Sequence, residues 1–282
     1  MKNLNDYLSI STIVLLCICS ICGIFSMDFS NSFDVVNQYG DTVTIFGSGI
    51  YAGDTYFKAP ILIGTDMVIL FVVVPLFTLS YLKNRQEGSN ADKLRLLSYY
   101  AVAFYYAVSI AFGVKYNQLH LIYIGLFGCT LFGLFYTARG MNITHTSWLL
   151  TNGLKRFLAI TGMALIIAWL PDIVPTILSG RPIPLIGVYT TEITYVLDMG
   201  VVAPLCFICL NLLKKGDNVG VIILAAILKS CIIIGIMVVS QSVCQYLSGA
   251  ELPLPVLITK AASFVILGAF AFHFERKLYA RL

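Results

Sequence analysis

Four ionisable side chains stand inside otherwise apolar runs of this sequence: Asp66, Asp198, Lys229 and Lys260. A charge within a membrane-length apolar run costs a few kcal/mol or more, and it characteristically faces the interior of a helix bundle or a water-filled cavity. Asp66 lies about five residues into the second run, roughly 8 Å below one end at 1.5 Å per residue. Asp198 lies about four residues into the sixth run and Lys260 about six into the eighth, both counted from the same face. Asp172, Asn117 and His120 lie just above that layer, and Tyr106 falls beside it. The expected site is a polar pocket with Asp66, Asp198 and Lys260 at its base and Asp172, Asn117, His120 and Tyr106 as its walls. It would bind a small polar solute or a cation, and Lys260 would lower the burial cost of either acid. Two plainer arrangements use the same residues. One is a structural ion-pair network tying the second, sixth and eighth runs together, and the other is lysines that snorkel to the interface. Lys229, about ten residues from the nearer end, is too deep to snorkel easily and calls for a buried partner or water.

Other chemistries find less in the residues. Cys206 and Cys209 form a CxxC pair, but they fall in the inner half of an apolar run, where cysteine packs as a small hydrophobe and its thiolate is disfavoured. His120, His145 and His273 are scattered, without HxxxH, HExxH or Cys/His tetrad spacing, so no metal and no cofactor is expected. A hard divalent cation among Asp66, Asp172, Asp198 and His120 is conceivable on depth alone. No GxSxG, Walker or GxGxxG pattern occurs.

The elements that must position these residues follow from composition. Of 282 residues, 59 % are hydrophobic and 11 % charged, with a mean hydropathy of +0.88. A soluble domain has about 25 % charged residues. So few charges cannot cover the outside of a soluble enzyme, a nucleic-acid binder or a secreted disulfide scaffold. The chain reads as an all-α membrane protein, an eight-helix transmembrane bundle. The spans run over about 8–27, 61–82, 96–114, 118–138, 156–171, 194–213, 219–246 and 254–274. Tyr99, Tyr100, Tyr105, Tyr106 and Ser109 make the third aromatic and semi-polar, and Pro171 is expected to end the fifth.

Basic residues orient the spans. With the N-terminus inside, thirteen fall on inner segments: Lys2, Lys83, Arg85, Lys93, Arg95, Arg139, Lys155, Arg156, Lys214, Lys215, Arg276, Lys277 and Arg281. Lys58, Lys115 and Arg181 alone fall outside, so both termini are expected in the cytoplasm. The first run lacks a small-x-small cleavage site and reads as an uncleaved helix. The sequon Asn142-Ile143-Thr144 falls on the inner side and reads as chance. The outer segments carry seven acids (Asp28, Asp34, Asp41, Asp54, Asp172, Glu192 and Glu251) against three bases, a balance of −4 that would gather cations. That balance is equally the mirror of the positive-inside bias.

The 28–60 segment reads as a small external cap: Asp34–Gln38 and Thr42–Phe46 are strand-like around Tyr39-Gly40-Asp41, a candidate β-hairpin. A second cap is expected from Asp172 to Gly187, where Pro175, Pro182 and Pro184 interrupt an apolar stretch. The second and sixth runs echo one another. Asp66-Met67 precedes Val72-Val73-Val74-Pro75-Leu76, and Asp198-Met199 precedes Val201-Val202-Ala203-Pro204-Leu205. The echo has two readings, an accident of common residues or a duplication into two parallel four-helix halves, 1-140 and 150-282.

Gly64-Thr65-Asp66-Met67-Val68, Ala111-Phe112-Gly113 through Asn117, Trp169-Leu170-Pro171-Asp172-Ile173-Val174-Pro175, Thr190-Thr191 through Leu197-Asp198, and Phe46-Gly47-Ser48-Gly49-Ile50-Tyr51 together resemble a family of bacterial inner-membrane proteins of about eight spans. The resemblance covers most of the chain and implies a bacterial inner-membrane address, with no particular chemistry attached. Three function classes are compatible with the residues: small-solute or cation binding and transport, a membrane enzyme acting on a lipid or envelope substrate, and a non-catalytic scaffold or partner subunit. The expected partners are the lipid bilayer, a small polar solute or cation, and a second copy or another membrane protein, without nucleic acid.

Overall fold

The computed structural model describes residues 2–141, 143, 150–183, 185–249, 254–280 and 282. Asn142 and Thr144 of the sequon, His145, Pro184, Glu251 and Arg281 lie outside the described residues. The chain is 75 % helical. Among the described residues, eight helices are long and apolar enough to cross a membrane. They are α1 (Lys2–Ile24), α2 (Ala59–Gln86), α3 (Asn90–Gly113), α4 (His120–Ala138), α5 (Asn152–Ser179), α6 (Ile193–Lys214) and α7 (Asn218–Leu247), and α8 (Leu254–Tyr279). Between α1 and α2 the strands β1 (Ser32–Val36) and β2 (Thr42–Phe46) pair antiparallel, with Asp34 opposite Thr44.

Side chains at the helix starts satisfy the free backbone N–H groups there. Ser89 accepts from Asp92 N at 3.1 Å, Thr151 from Leu154 N at 3.2 Å and Asp217 from Val219 N at 2.9 Å. The fifth helix departs from expectation. It runs through Pro171 and Pro175 to Ser179, where Gly180 at φ +65° closes it in the left-handed conformation that glycine adopts without a Cβ clash. A proline removes one backbone bond and crowds the preceding turn, a cost that packing and local hydroxyl bonds can offset in apolar helices. In the same last turns, the Thr176 and Ser179 hydroxyls fold back onto the helix, to Ile173 O at 2.7 Å and Pro175 O at 2.8 Å. The expected second cap is thereby shortened: residues 172–179 are helix. The eighth helix runs five residues past its expected end and carries Glu275 within it.

The echoing helices share one irregularity. Each contains a five-residue π-helical stretch, Ile69–Val73 in α2 and Asp198–Val202 in α6. Each stretch ends two residues before a proline, Pro75 or Pro204. The wide turn gives the proline ring room against the carbonyls of the preceding turn.

The helices α3 and α7 are the most enclosed, with 67 % and 61 % of their apolar stretches buried; α8 and α5 are the least, at 17 % and 22 %. Helix α3 packs on α2, α4, α6 and α7, while α7 packs on α2, α3, α6 and α8. Close helix approach is possible where a side chain is absent: a Cβ on Gly64 would stand 2.6 Å from the Gln241 Cα of α7. A core of Leu16, Val68, Phe77, Tyr100, Tyr123 and Ile233 fills the space among α1, α2, α3, α4 and α7.

Candidate functional site

Asp66 is fully buried in α2. Tyr51, from the short 3-10 turn Gly49–Tyr51 after the hairpin, donates its hydroxyl to Oδ2 at 2.6 Å. Tyr106 of α3 donates to Oδ1 at 2.5 Å. Both phenols are themselves buried, at 1 % and 2 % exposure. Gly23 of α1 lies directly against the carboxylate, since a Cβ there would stand 1.7 Å from Oδ2. Among the described residues no cation contacts Asp66. Inserting an acid at the centre of an apolar helix costs about 2.5–3.5 kcal/mol, and a hydrogen bond to a charged group is worth about 1.5–3 kcal/mol. Two phenol donors therefore offset much of the insertion cost without any counter-ion.

Asp198 repeats the arrangement with different neighbours. Tyr105 of α3 donates to Oδ1 at 2.9 Å and the Trp169 indole of α5 to Oδ2 at 3.0 Å. Trp169 stacks on Tyr195 with ring centroids 4.6 Å apart, and the Tyr195 hydroxyl donates to Asp172 Oδ2 at 2.8 Å. Because α5 continues past Pro171, Trp169 and Asp172 stand three residues apart on one helix face, and both reach α6. Asp198 and Asp172 thus belong to one cluster.

The expected pocket residues do not all meet. Asp66 and Asp198 share no partner, and Lys260, partly exposed on α8, makes no hydrogen bond or ion pair among the described residues. The physical reason lies in α3: its phenols reach both acids, so neither needs the lysine. Asn117 bonds to the Lys115 carbonyl at 3.3 Å and, at 3.4 Å, to the Tyr123 hydroxyl. His120 lies against the Tyr116 ring, centroids 5.2 Å apart. Lys229 has a buried partner: its Nζ is 2.8 Å from Glu275 Oε1 of α8, a close ionic contact outside hydrogen-bond alignment, and lies 4.7 Å over the Tyr99 ring. Sequence reasoning missed Tyr51, Tyr105, Trp169, Tyr195 and Glu275 as participants. The available signal was the cluster of tyrosines in the third apolar run.

A third polar cluster sits in the cap. Asp54 is fully buried just before α2. Its Oδ1 accepts from the Tyr189 hydroxyl at 2.6 Å and from Lys115 N at 2.9 Å, while Oδ2 has no partner among the described residues. Burial pushes the Asp54 carboxyl up to about 6, and burial followed by the neighbouring Asp54 pushes the Tyr189 phenol well above its usual range. Lys58 lies 4.1 Å over the Tyr189 ring and 3.2 Å from Glu192. Beside this cluster, a groove of 390 Å³ runs between Tyr39 of the hairpin turn, Thr176 of α5, and Arg181, Ile186, Thr191 and Glu192 of the following loop. None of Asp66, Asp198 and Lys260 lines it.

Cys206 and Cys209 are buried and free, and the Cys209 thiol donates to Gly220 O of α7 at 3.3 Å, a packing contact between α6 and α7. Among the described residues no group of three His, Cys, Asp or Glu side chains could hold a metal ion, so Asp66, Asp172, Asp198 and His120 do not gather into one. Comparisons with known protein families, with curated proteins and with solved structures return no match.

Proposed function

We propose that this is a multi-pass protein of a bacterial cytoplasmic membrane, with both termini in the cytoplasm, that exchanges protons for a small cation at Asp66 and Asp198. The observation that carries the reading is Asp66: a buried acid held by two neutral phenols, with no cation beside it among the described residues. The two donors hold the acid without a counter-ion, so an arriving proton or small cation meets a buried carboxylate whose charge nothing else neutralises among the described residues. Next to each acid is a π-helical stretch and a proline, a local loosening often found where a helix must bend or bind. Lys58 and Lys115, two of the three basic residues assigned outside, contact the cap cluster, and the third, Arg181, lines the groove beside it. That grouping supports an outward-facing cap. The neighbours also support two parallel halves, 1-140 and 150-282. The first half pairs α1 with α2, α2 with α3, α3 with α4 and α1 with α4; the second pairs α5 with α6, α6 with α7, α7 with α8 and α5 with α8.

The test uses lipid vesicles containing the protein, a trapped pH dye and an inside-acid gradient. Sodium, potassium, lithium and choline salts are added in turn. The reading expects at least one to dissipate the gradient in wild type, but in neither Asp66→Asn nor Asp198→Asn, with both variants accumulating normally. Gradients that decay as in protein-free vesicles with all four cations contradict it. A second reading, a non-catalytic scaffold, is favoured by one observation: each acid already has a donor on both oxygens. Under that reading both variants fail to accumulate.

A further inference from the structure

The cap touches the interior through two aspartates, and each contact has a distinct consequence. Tyr51, a cap residue, supplies one of the two donors to Asp66, so lifting the cap uncovers that acid. The cap is held down on two sides, by Tyr56, whose hydroxyl donates to Ser248 O beside the end of α7 at 2.9 Å, and by its contact with the loop leading into α6. Asn37 Nδ2 donates to Gly187 O at 3.0 Å, Gln38 Nε2 reaches Tyr189 O at 3.4 Å, and Thr55 N donates to the Tyr189 hydroxyl at 3.2 Å. Asp54 joins three segments at once: the cap, the α3–α4 link through Lys115 N, and the α5–α6 loop through Tyr189.

We propose that the cap, residues 28–58, is a lid over Asp66 and that Asp54 is its latch, which holds the lid shut when Asp54 is protonated and releases it when the group is charged. Both donors act on Oδ1, so a proton on the buried, unpartnered Oδ2 leaves every present contact intact and discharges the anion. The groups facing Asp54 are Lys58 at the start of α2, Lys115 in the α3–α4 link, Tyr51 in the cap, Tyr123 of α4 and Tyr189 in the α5–α6 loop, with Glu192 paired to Lys58. The Lys115 side chain lies against Gly53, whose φ is +97°: a Cβ there would stand 2.5 Å from its Nζ and displace the ammonium. Burial still outweighs these cations and raises the group to about 6. The shut lid therefore binds a proton more tightly than the open one, and its hold is fully present below the ordinary carboxylate range and lost as pH rises through about 6.

The latch governs access to the proposed cation site and in that sense rests on it, but its test reads no flux, so the two fail separately. Cys244 of α7 is buried at 1 % exposure in a cluster with Phe46 and Tyr51 of the cap. Lid opening exposes its thiol. The full chain in lipid nanodiscs is treated with a sulfonated maleimide, and modification at Cys244 is followed by mass spectrometry in wild type and Asp54→Asn. The ratio of the two rates cancels the thiol's own pH dependence. The wild-type to Asp54→Asn ratio should rise from about pH 4, gain about tenfold between about pH 5 and about pH 7, and level off above that. A ratio that does not change with pH overturns the latch. Tyr189→Phe removes the phenol donor and leaves Asp54 in place, so Cys244 should be modified faster than in wild type at both pH values; a wild-type rate overturns the latch.

Discussion

Tyr105 and Tyr106 are consecutive in α3, yet their hydroxyls end on different helices: Tyr106 on Asp66 of α2 at 2.5 Å, Tyr105 on Asp198 of α6 at 2.9 Å. Consecutive helical residues point about 100° apart, so one turn of α3 serves two acids that share no partner. Removing either donor, as Tyr106→Phe or Tyr105→Phe, should cost about 1.5–3 kcal/mol of stability. The double variant should cost the sum to within about 0.5 kcal/mol, as independent sites do. Unfolding in mixed micelles measures the cycle, and a larger coupling energy would mean that the two acids act as one unit.

Gly23 bounds the Asp66 site from α1. Gly23→Ala puts a methyl 1.7 Å from Oδ2, which forces α1 outward or the carboxylate off Tyr51. Overpacking of this kind costs about 1–3 kcal/mol. Asp66→Ala should relieve most of that cost in the double variant. If Gly23→Ala is as damaging in the Asp66→Ala background, the close approach is to something other than the acid.

Lys229 and Glu275 join α7 to α8 by a buried ion pair. Lys229→Met or Glu275→Leu alone leaves one charge without its partner in an apolar setting and should cost about 3–5 kcal/mol. The double variant Lys229→Met/Glu275→Leu should recover most of the loss. Thermal unfolding or yield from membranes reads the difference, and a double variant no better than its worse parent would assign the pair a role beyond packing.

The eight apolar runs and the hairpin were legible because both depend on local pattern: run length for the helices, alternation around Tyr39-Gly40-Asp41 for the strands. The partners of the acids were not. Sequence position gives the depth of Asp66, Asp198 and Lys260, but not which way each points around its helix, and equal depth suggested a shared pocket. Orientation is set by packing, which turned Tyr105 and Tyr106 toward the acids and left Lys260 without them. Pro171 was misleading for a similar reason. It breaks a helix when the freed carbonyl has no other partner, and the surroundings of α5 decide that, not the residue itself. Glu275 falls one residue beyond the eighth expected run, which ends at 274, while the helix continues to Tyr279.

The proposed exchange requires Asp66 to accept a proton inside the helix assembly. Infrared difference spectroscopy on the purified protein, comparing wild type with Asp66→Asn across a pH titration, reads it most directly. Proton exchange at Asp66 would show as a protonated-carboxyl C=O band in wild type that titrates reversibly and is missing from Asp66→Asn. A wild-type spectrum identical to that of Asp66→Asn at every pH would contradict it.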